Sequence, residues 1–191
     1  MLQAQLACEA GAKWIQYRCF SKGDDELLED INNISAICDD WGATLLVTDH
    51  IRLLNLADIQ GVHIEDMQAD FLQIRELIGL DKTLGASANT IDDIRRIAKS
   101  HAVDYIGCGP LRATSTKPNN YPLLGIGGYE EIITAMKSEG IDIPLIAVGG
   151  VLATDVSQLE EAGVYGIAVS AAVNLSHDPG KAYKEFYNKL H

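Results

Sequence analysis

Two ionic side chains, Arg18 and Asp49, stand at the ends of two short apolar runs, Lys13 to Arg18 and Thr44 to Asp49. An arginine can grip a diphosphate through charge-assisted hydrogen bonds. An aspartate can hold Mg²⁺, an ion that keeps several waters and bridges to substrate phosphates. The alternative for these two is a mutual salt bridge. A second group is the segment Gly109-Pro110-Leu111-Arg112-Ala113-Thr114-Ser115-Thr116-Lys117, which combines a flexible glycine, hydroxyls and a cation in one stretch. Hydroxyls and backbone amides can fix phosphate oxygens while lysine supplies a point charge; an ordinary polar surface loop is the other reading. Gly149 and Gly150 follow the apolar run Pro144 to Val148. Glycine lets a phosphate approach the backbone, and exposed N–H groups at a helix start favour anions, although two glycines can also simply make a tight turn. His63 ends the run Gly61 to Ile64 with no Cys or His close by, which marks it as a hydrogen-bonded structural histidine rather than a metal ligand.

These residues need a scaffold that brings separate parts of the chain together. Short β-branched runs alternate with amphipathic stretches, the pattern of repeated βα units with a parallel sheet. Seven strands are expected: 13–18, 44–49, 61–64, 83–87, 103–107, 144–148 and 166–170. Helices are expected at 25–39, 70–78, 90–100, 128–137, 154–162 and 179–190, the last capped by Asp178 with Pro179 in its first turn. Strands apolar on both faces favour an α/β fold of the (β/α)8 TIM barrel kind over an open doubly wound sheet, and no strand leads into a complete G-x-G-x-x-G fingerprint. Polar groups then collect at the C-terminal strand ends: Gln16, Arg18, Thr48, Asp49, Ser87, residues 109–117, Gly150 and Ser170. The chain opens in a helix-like segment, Leu2 to Glu9, so the first strand of the barrel is expected to be missing. Three explanations stand open: an upstream start, an imperfectly closed sheet, or a neighbouring chain covering the gap in a homo-oligomer. One domain, residues 1–191, is expected from the length.

With 27 acidic against 15 basic side chains the formal charge is −12, which disfavours partnership with nucleic acid or an anionic membrane. An anionic small molecule remains compatible, because a few local cations and amides outweigh a distant acidic surface under physiological screening. Cys8, Cys19, Cys38 and Cys108 form no C-x-x-C pair and read as free thiols of a reducing compartment. No stretch has the apolar length of a membrane span and no signal-peptide pattern opens the chain, so a cytoplasmic protein is expected.

Read in order, the blocks Gln16-Tyr17-Arg18, Thr48-Asp49, Gly61-Val62-His63-Ile64, Leu84-Gly85-Ala86-Ser87, Asp104-Tyr105-Ile106-Gly107-Cys108-Gly109-Pro110, Thr114-Ser115-Thr116-Lys117, Ala147-Val148-Gly149-Gly150-Val151 and Gly166-Ile167-Ala168-Val169-Ser170 resemble the thiamine-phosphate synthase family almost from end to end. The resemblance implies a transferase that joins hydroxymethylpyrimidine diphosphate to thiazole phosphate with Mg²⁺ and releases pyrophosphate. It implies that Gln16 and Ser87 orient the pyrimidine, with Thr48 beside them. Arg18 and Lys117 would hold the diphosphate as the catalytic cations, and Asp49 would help bind the metal. Thr114, Thr116 and Gly150 would seat the thiazole phosphate, completed by Ser170 or the amide of Ala171. Several positions depart from the family pattern. Cys19-Phe20 replace a usual Glu-Lys, removing a cation unless Lys22 reaches in; Thr48 replaces an Asn; and Gln68 stands where a second magnesium carboxylate is usual, with Asp66 or Asp70 as substitutes. Two other readings follow from the same resemblance. One is a barrel that binds phosphate ligands without turnover; the other is a thiazole tautomerase-like isomerase, whose catalytic histidine is replaced here by Pro110.

Overall fold

The computed structural model describes residues 1–113 and 121–190. Seven parallel strands are hydrogen-bonded in chain order: β1 Trp14–Tyr17, β2 Thr44–Thr48, β3 Gly61–Ile64, β4 Thr83–Ala88, β5 Tyr105–Cys108, β6 Leu145–Ala147 and β7 Gly166–Ile167. Helix α1 Leu2–Glu9 precedes the sheet; α2 Asp24–Trp41, α3 Phe71–Ile78, α4 Ile91–Ala98, α5 Gly125–Ser138 and α6 Val156–Glu161 return the chain between strands, and α7 Ala171–Asn174 and α8 Pro179–Tyr187 follow β7. Among the described residues β7 does not pair with β1, so the result is a seven-stranded parallel α/β sheet and not a closed eight-stranded ring. The expected seventh strand, 166–170, shrinks to Gly166–Ile167, where its ladder to β6 ends. The short helix α7 and the single 3-10 turns at Ile51–Leu53 and Ala153–Asp155 went unrecognised in the sequence, being too brief to show a period.

Local chemistry fixes the helix ends. Asp70 Oδ1 accepts from the amide of Gln73 at the start of α3, and Asp178 Oδ1 accepts from the amide of Lys181 at the start of α8. Thr90 and Asp93 exchange side-chain and backbone bonds as a capping box on α4, and Gly42 takes a left-handed φ of 59° to end α2. The apolar stripes then pack inward: Leu27, Ile31, Ile34 and Cys38 on α2, Ile94 and Ile97 on α4, and Tyr129, Ile132, Ile133 and Met136 on α5 are buried.

Alternation along the strands divides the sheet into two faces. Leu45 and Val47, Val62 and Ile64, Leu84 and Ala86, and Ile106 and Cys108 point into the hydrophobic core under the helices. The intervening positions, Gln16, Thr48, His63, Ser87 and Tyr105, therefore share the opposite face. Buried Tyr129 ties α5 to the end of β5 by donating from its hydroxyl to the Cys108 carbonyl at 2.6 Å. That carbonyl keeps a second donor in the Val148 amide, so Tyr129→Phe is expected to cost about 1 kcal/mol. Urea unfolding checks this as a lower midpoint at unchanged slope.

Candidate active site at the strand ends

The parallel register carries the polar face of the sheet from one strand to the next. Gln16 Nε2 of β1 donates to Thr48 Oγ1 of β2 at 2.9 Å, and Thr48 is in register with His63 of β3. The two nitrogens of His63 are 2.9 Å from the Tyr105 hydroxyl (Nδ1) and 2.9 Å from Ser87 Oγ (Nε2). His63 is thus hydrogen-bonded as expected, but it lies within the polar face and touches Ser87. Two glycines make this possible. A Cβ on Gly85, the register partner of both His63 and Tyr105, would fall on the Tyr105 ring, and one on Gly107, the register partner of Ser87, would come within 3.2 Å of the imidazole. The Trp14 ring meets Tyr105 edge to face with centroids 5.7 Å apart.

At the rim, Asp49 follows β2 in the left-handed region with φ 58°. Its amide donates to the His63 carbonyl of β3 at 3.0 Å and its Oδ1 accepts from the Glu65 amide just past β3 at 2.9 Å, which holds the carboxylate in place. An aspartate tolerates this backbone better than most residues, which makes the cost of its placement small. Arg18 does not pair with Asp49. Its Nε and Nη2 donate to the Glu65 carboxylate at 2.7 and 3.1 Å, a fork that sequence reading missed because 47 positions separate the two. The guanidinium also lies 4.7 Å from the Phe20 ring centroid, a cation–π contact, and Phe20 in turn tilts against His50. Arg18 Nη1 makes no hydrogen bond to any described residue.

The substitutes considered for the altered positions are engaged elsewhere. Lys22 does not reach the mouth: its Nζ pairs with Asp30 at 2.5 Å on α2. Asp66 accepts from the Gln68 amide and Asp70 caps α3, so both carboxylates serve local backbone. Each finds its partner within three residues, which requires no movement toward the rim.

The loops after β5 and β6 are joined. The Leu111 amide donates to the Val148 carbonyl and the Arg112 amide to the Gly149 carbonyl. Arg112 then clamps the glycine turn: Nη1 donates to the Gly150 carbonyl at 2.7 Å, and the guanidinium grips Asp155 through two further bonds at 2.5 and 2.8 Å. The guanidinium holds the Asp155 carboxyl below its usual range, and Asp155 also accepts from the Leu152 amide. Gly149 and Gly150 adopt φ of 85° and 74°, a backbone open to glycine and strained for other residues. Arg112 and Asp155 carried no signal of pairing in the sequence. Thr114, Thr116 and Lys117 lie outside the described residues. Ser170 occupies the N-cap position of α7 without a side-chain capping bond; its Oγ accepts from the Asn174 side-chain Nδ2 at 3.3 Å, and Ala171 is the first residue of that helix. Cys8, Cys38 and Cys108 are buried free thiols; burial pushes the last two up to about 12, which keeps them protonated and unreactive. Cys19 is partly exposed.

Fold and site together define a parallel βα-repeat protein with polar groups from separate strands gathered on one sheet face and at the strand ends. The comparisons narrow this class. The family model for thiamine monophosphate synthase matches residues 2–173. The thiamine-phosphate synthase of Phocaeicola vulgatus is 36% identical over 185 residues, covering 97% of this chain and 88% of that protein. The thiamine-phosphate synthase of Bacteroides fragilis is 35% identical, covering 97% and 90%. Among solved structures, thiamine phosphate pyrophosphorylase from Pyrococcus furiosus superposes with a TM-score of 0.86 at 25% identity, over 99% of this chain and 88% of that one. The chain belongs to the thiamine monophosphate synthase family.

Proposed function

We propose that this protein is a thiamine-phosphate synthase, a transferase that joins hydroxymethylpyrimidine diphosphate and thiazole phosphate to give thiamine phosphate and pyrophosphate. The single observation that carries the reading is the gathering of Gln16, Thr48 and Ser87 on one sheet face, with Arg18 and Asp49 at its rim, in a chain of that family. The chain acts as one domain of the TIM-barrel kind in the cytoplasm.

In this reading Gln16, Thr48 and Ser87 orient the pyrimidine ring. Arg18 and Lys117 grip the diphosphate; departure of pyrophosphate leaves positive charge on the pyrimidine methylene carbon and added negative charge on the leaving group, so cations there stabilise the transition state. Thr114, Thr116 and the glycine turn at Gly150 seat the thiazole phosphate, completed by Ser170 or the Ala171 amide. No protein nucleophile is needed. The thiazole nitrogen attacks the methylene carbon once both rings are held in contact, so orientation and exclusion of water supply much of the rate.

The donor set suits Mg²⁺, since Asp49 offers a hard carboxylate oxygen at the rim and its Oδ1 is already anchored by the Glu65 amide. The ion would neutralise charge on the departing diphosphate. Among the described residues no group of three or more His, Cys, Asp or Glu side chains could hold a metal by itself, so substrate oxygens must supply part of the shell. Little heat is therefore expected when Mg²⁺ is titrated into the apo protein, and clear binding once the pyrimidine diphosphate is present. Tight binding without substrate would mean a preformed cage and overturn this account of the rim.

Pyrophosphate release from the two phosphorylated substrates with Mg²⁺ tests the proposal directly. Release that requires both substrates is the expected result. Absence of release with thiazole phosphate still bound would replace the synthase by a barrel that binds phosphate ligands without turnover. Pro110, standing where the tautomerase-like relatives carry their histidine, gives no group for that isomerisation.

A further inference from the structure

Tyr105, His63 and Ser87 form a chain of hydrogen bonds whose direction can be worked out from what each atom can donate. The Tyr105 hydroxyl is 2.9 Å from His63 Nδ1, and Nε2 is 2.9 Å from Ser87 Oγ. Neutral imidazole has one donor nitrogen and one acceptor nitrogen, so only two arrangements exist. In one, Tyr105 donates to Nδ1 and Nε2–H donates to Ser87. In the other, Nδ1–H donates to Tyr105 and Ser87 donates to Nε2.

The surroundings of Tyr105 choose between them. Its phenol is packed over Gly85, whose missing Cβ makes the space, and its ring is flanked by Trp14 and His63. Among the described residues the hydroxyl has no hydrogen-bond partner besides His63. The second arrangement would therefore leave the phenol proton, held between the Trp14 and His63 rings and over Gly85, without an acceptor among the described residues, and an enclosed hydroxyl loses more by this than one at a strand end. Burial also pushes the phenol above its ordinary pKa, so it keeps the proton it donates. The first arrangement pairs the phenol and imidazole protons, Tyr105 giving to Nδ1 and His63 carrying its proton on Nε2, and leaves only the proton of Ser87, near the C-terminal end of β4, without a partner among the described residues.

The consequence falls on Ser87. With Nε2–H donating into Oγ, the serine proton is turned away from His63, and no described residue takes it through a side-chain hydrogen bond. We propose that Tyr105 and His63 are positioning residues that fix Ser87 as a hydrogen-bond donor, so that the ligand atom meeting Ser87 is a ring nitrogen bearing a lone pair. This rests on the synthase reading for the identity of the ring. The polarity of Ser87 is a property of the protein alone. Ser87 thus discriminates by hydrogen-bond sense: a heterocycle presenting N–H or C–H at that place finds two hydrogens facing each other.

The test has one part that needs no ligand and one that does. In the ¹⁵N-histidine-labelled apo protein, long-range proton–nitrogen correlations report the tautomer of each imidazole, and the His63 signals are those lost in His63→Asn. The Nε2–H tautomer is expected in the wild type, shifting toward a mixture in Tyr105→Phe. Binding of pyrimidine diphosphates with one ring nitrogen at a time replaced by C–H is then compared by calorimetry. One of these analogues is expected to bind the wild type about tenfold more weakly than the parent. That penalty should fall to about twofold or less in Ser87→Ala and shrink in Tyr105→Phe, as coupled residues require. An Nδ1–H tautomer in the wild type, or equal binding of the parent and every analogue, overturns the inference even if pyrophosphate is released. Failure of pyrophosphate release with the tautomer and the analogue penalty intact removes the synthase reading and leaves the polarity of Ser87 in place.

Discussion

Replacing Lys117 by Ala or Arg18 by Gln is expected to lower pyrophosphate release on the order of 30- to 1000-fold, equivalent to about 2 to 4 kcal/mol of transition-state stabilisation. The size follows from when the contact matters. A cation on the diphosphate gains strength as the leaving group takes up charge, so its loss appears in kcat as well as in KM. In this chain the effect at Arg18 has an added cause. Phe20 stands where the resemblance leads to the expectation of another cation, and Lys22 is held on α2 by Asp30, so among the described residues neither position adds a cation beside Arg18. Phe20→Lys should leave activity unchanged or raise it. A fall of tenfold or more in Phe20→Lys would show that the aromatic platform under the Arg18 guanidinium matters more than the missing charge. Steady-state kinetics of all three variants, with both substrates varied, read out the comparison.

The second large effect is expected at the glycine turn. Gly150 holds φ at 74°, and a Cβ added there would come within 2.5 Å of Arg112 Cγ and 3.3 Å of two carbonyl oxygens. Gly150→Ala therefore carries backbone strain of about 1 to 2 kcal/mol and displaces the side chain that clamps the turn. Affinity for thiazole phosphate should fall by about tenfold or more, while binding of the pyrimidine diphosphate, which is assigned to other strand ends, changes little. Asp155→Asn tests the same clamp without a steric change, because it weakens the grip on Arg112 and leaves the turn its glycine. Separate calorimetric titrations of the two substrates distinguish these results. Equal weakening of both ligands would mean that the turn supports the fold as a whole and has no particular share in the phosphate seat.

The sequence by itself determined the kind and order of the longer elements. Helix α4 was legible because Ile91, Ile94 and Ile97 recur at a three-residue step, and strand β3 because Gly61 to Ile64 is a short apolar run between polar stretches. Both depend on interactions within a few residues, which spacing alone records. The parallel order followed from the alternation of such units, and the family from the blocks they carry. What only the tertiary structure decided is which polar groups hold one another. Arg18 with Glu65, His63 with Ser87 and Tyr105, and Arg112 with Asp155 join positions 24 to 47 residues apart. Nothing in their spacing marks these partners. They meet because strand register sets Thr48 beside His63 and Gly85 between His63 and Tyr105, and because a glycine at position 85 leaves room for a phenol. Composition and periodicity specify a surface one element at a time. The direction of a hydrogen bond or the partner of a guanidinium depends on distances of about 3 Å between elements, and those exist only once the sheet has assembled.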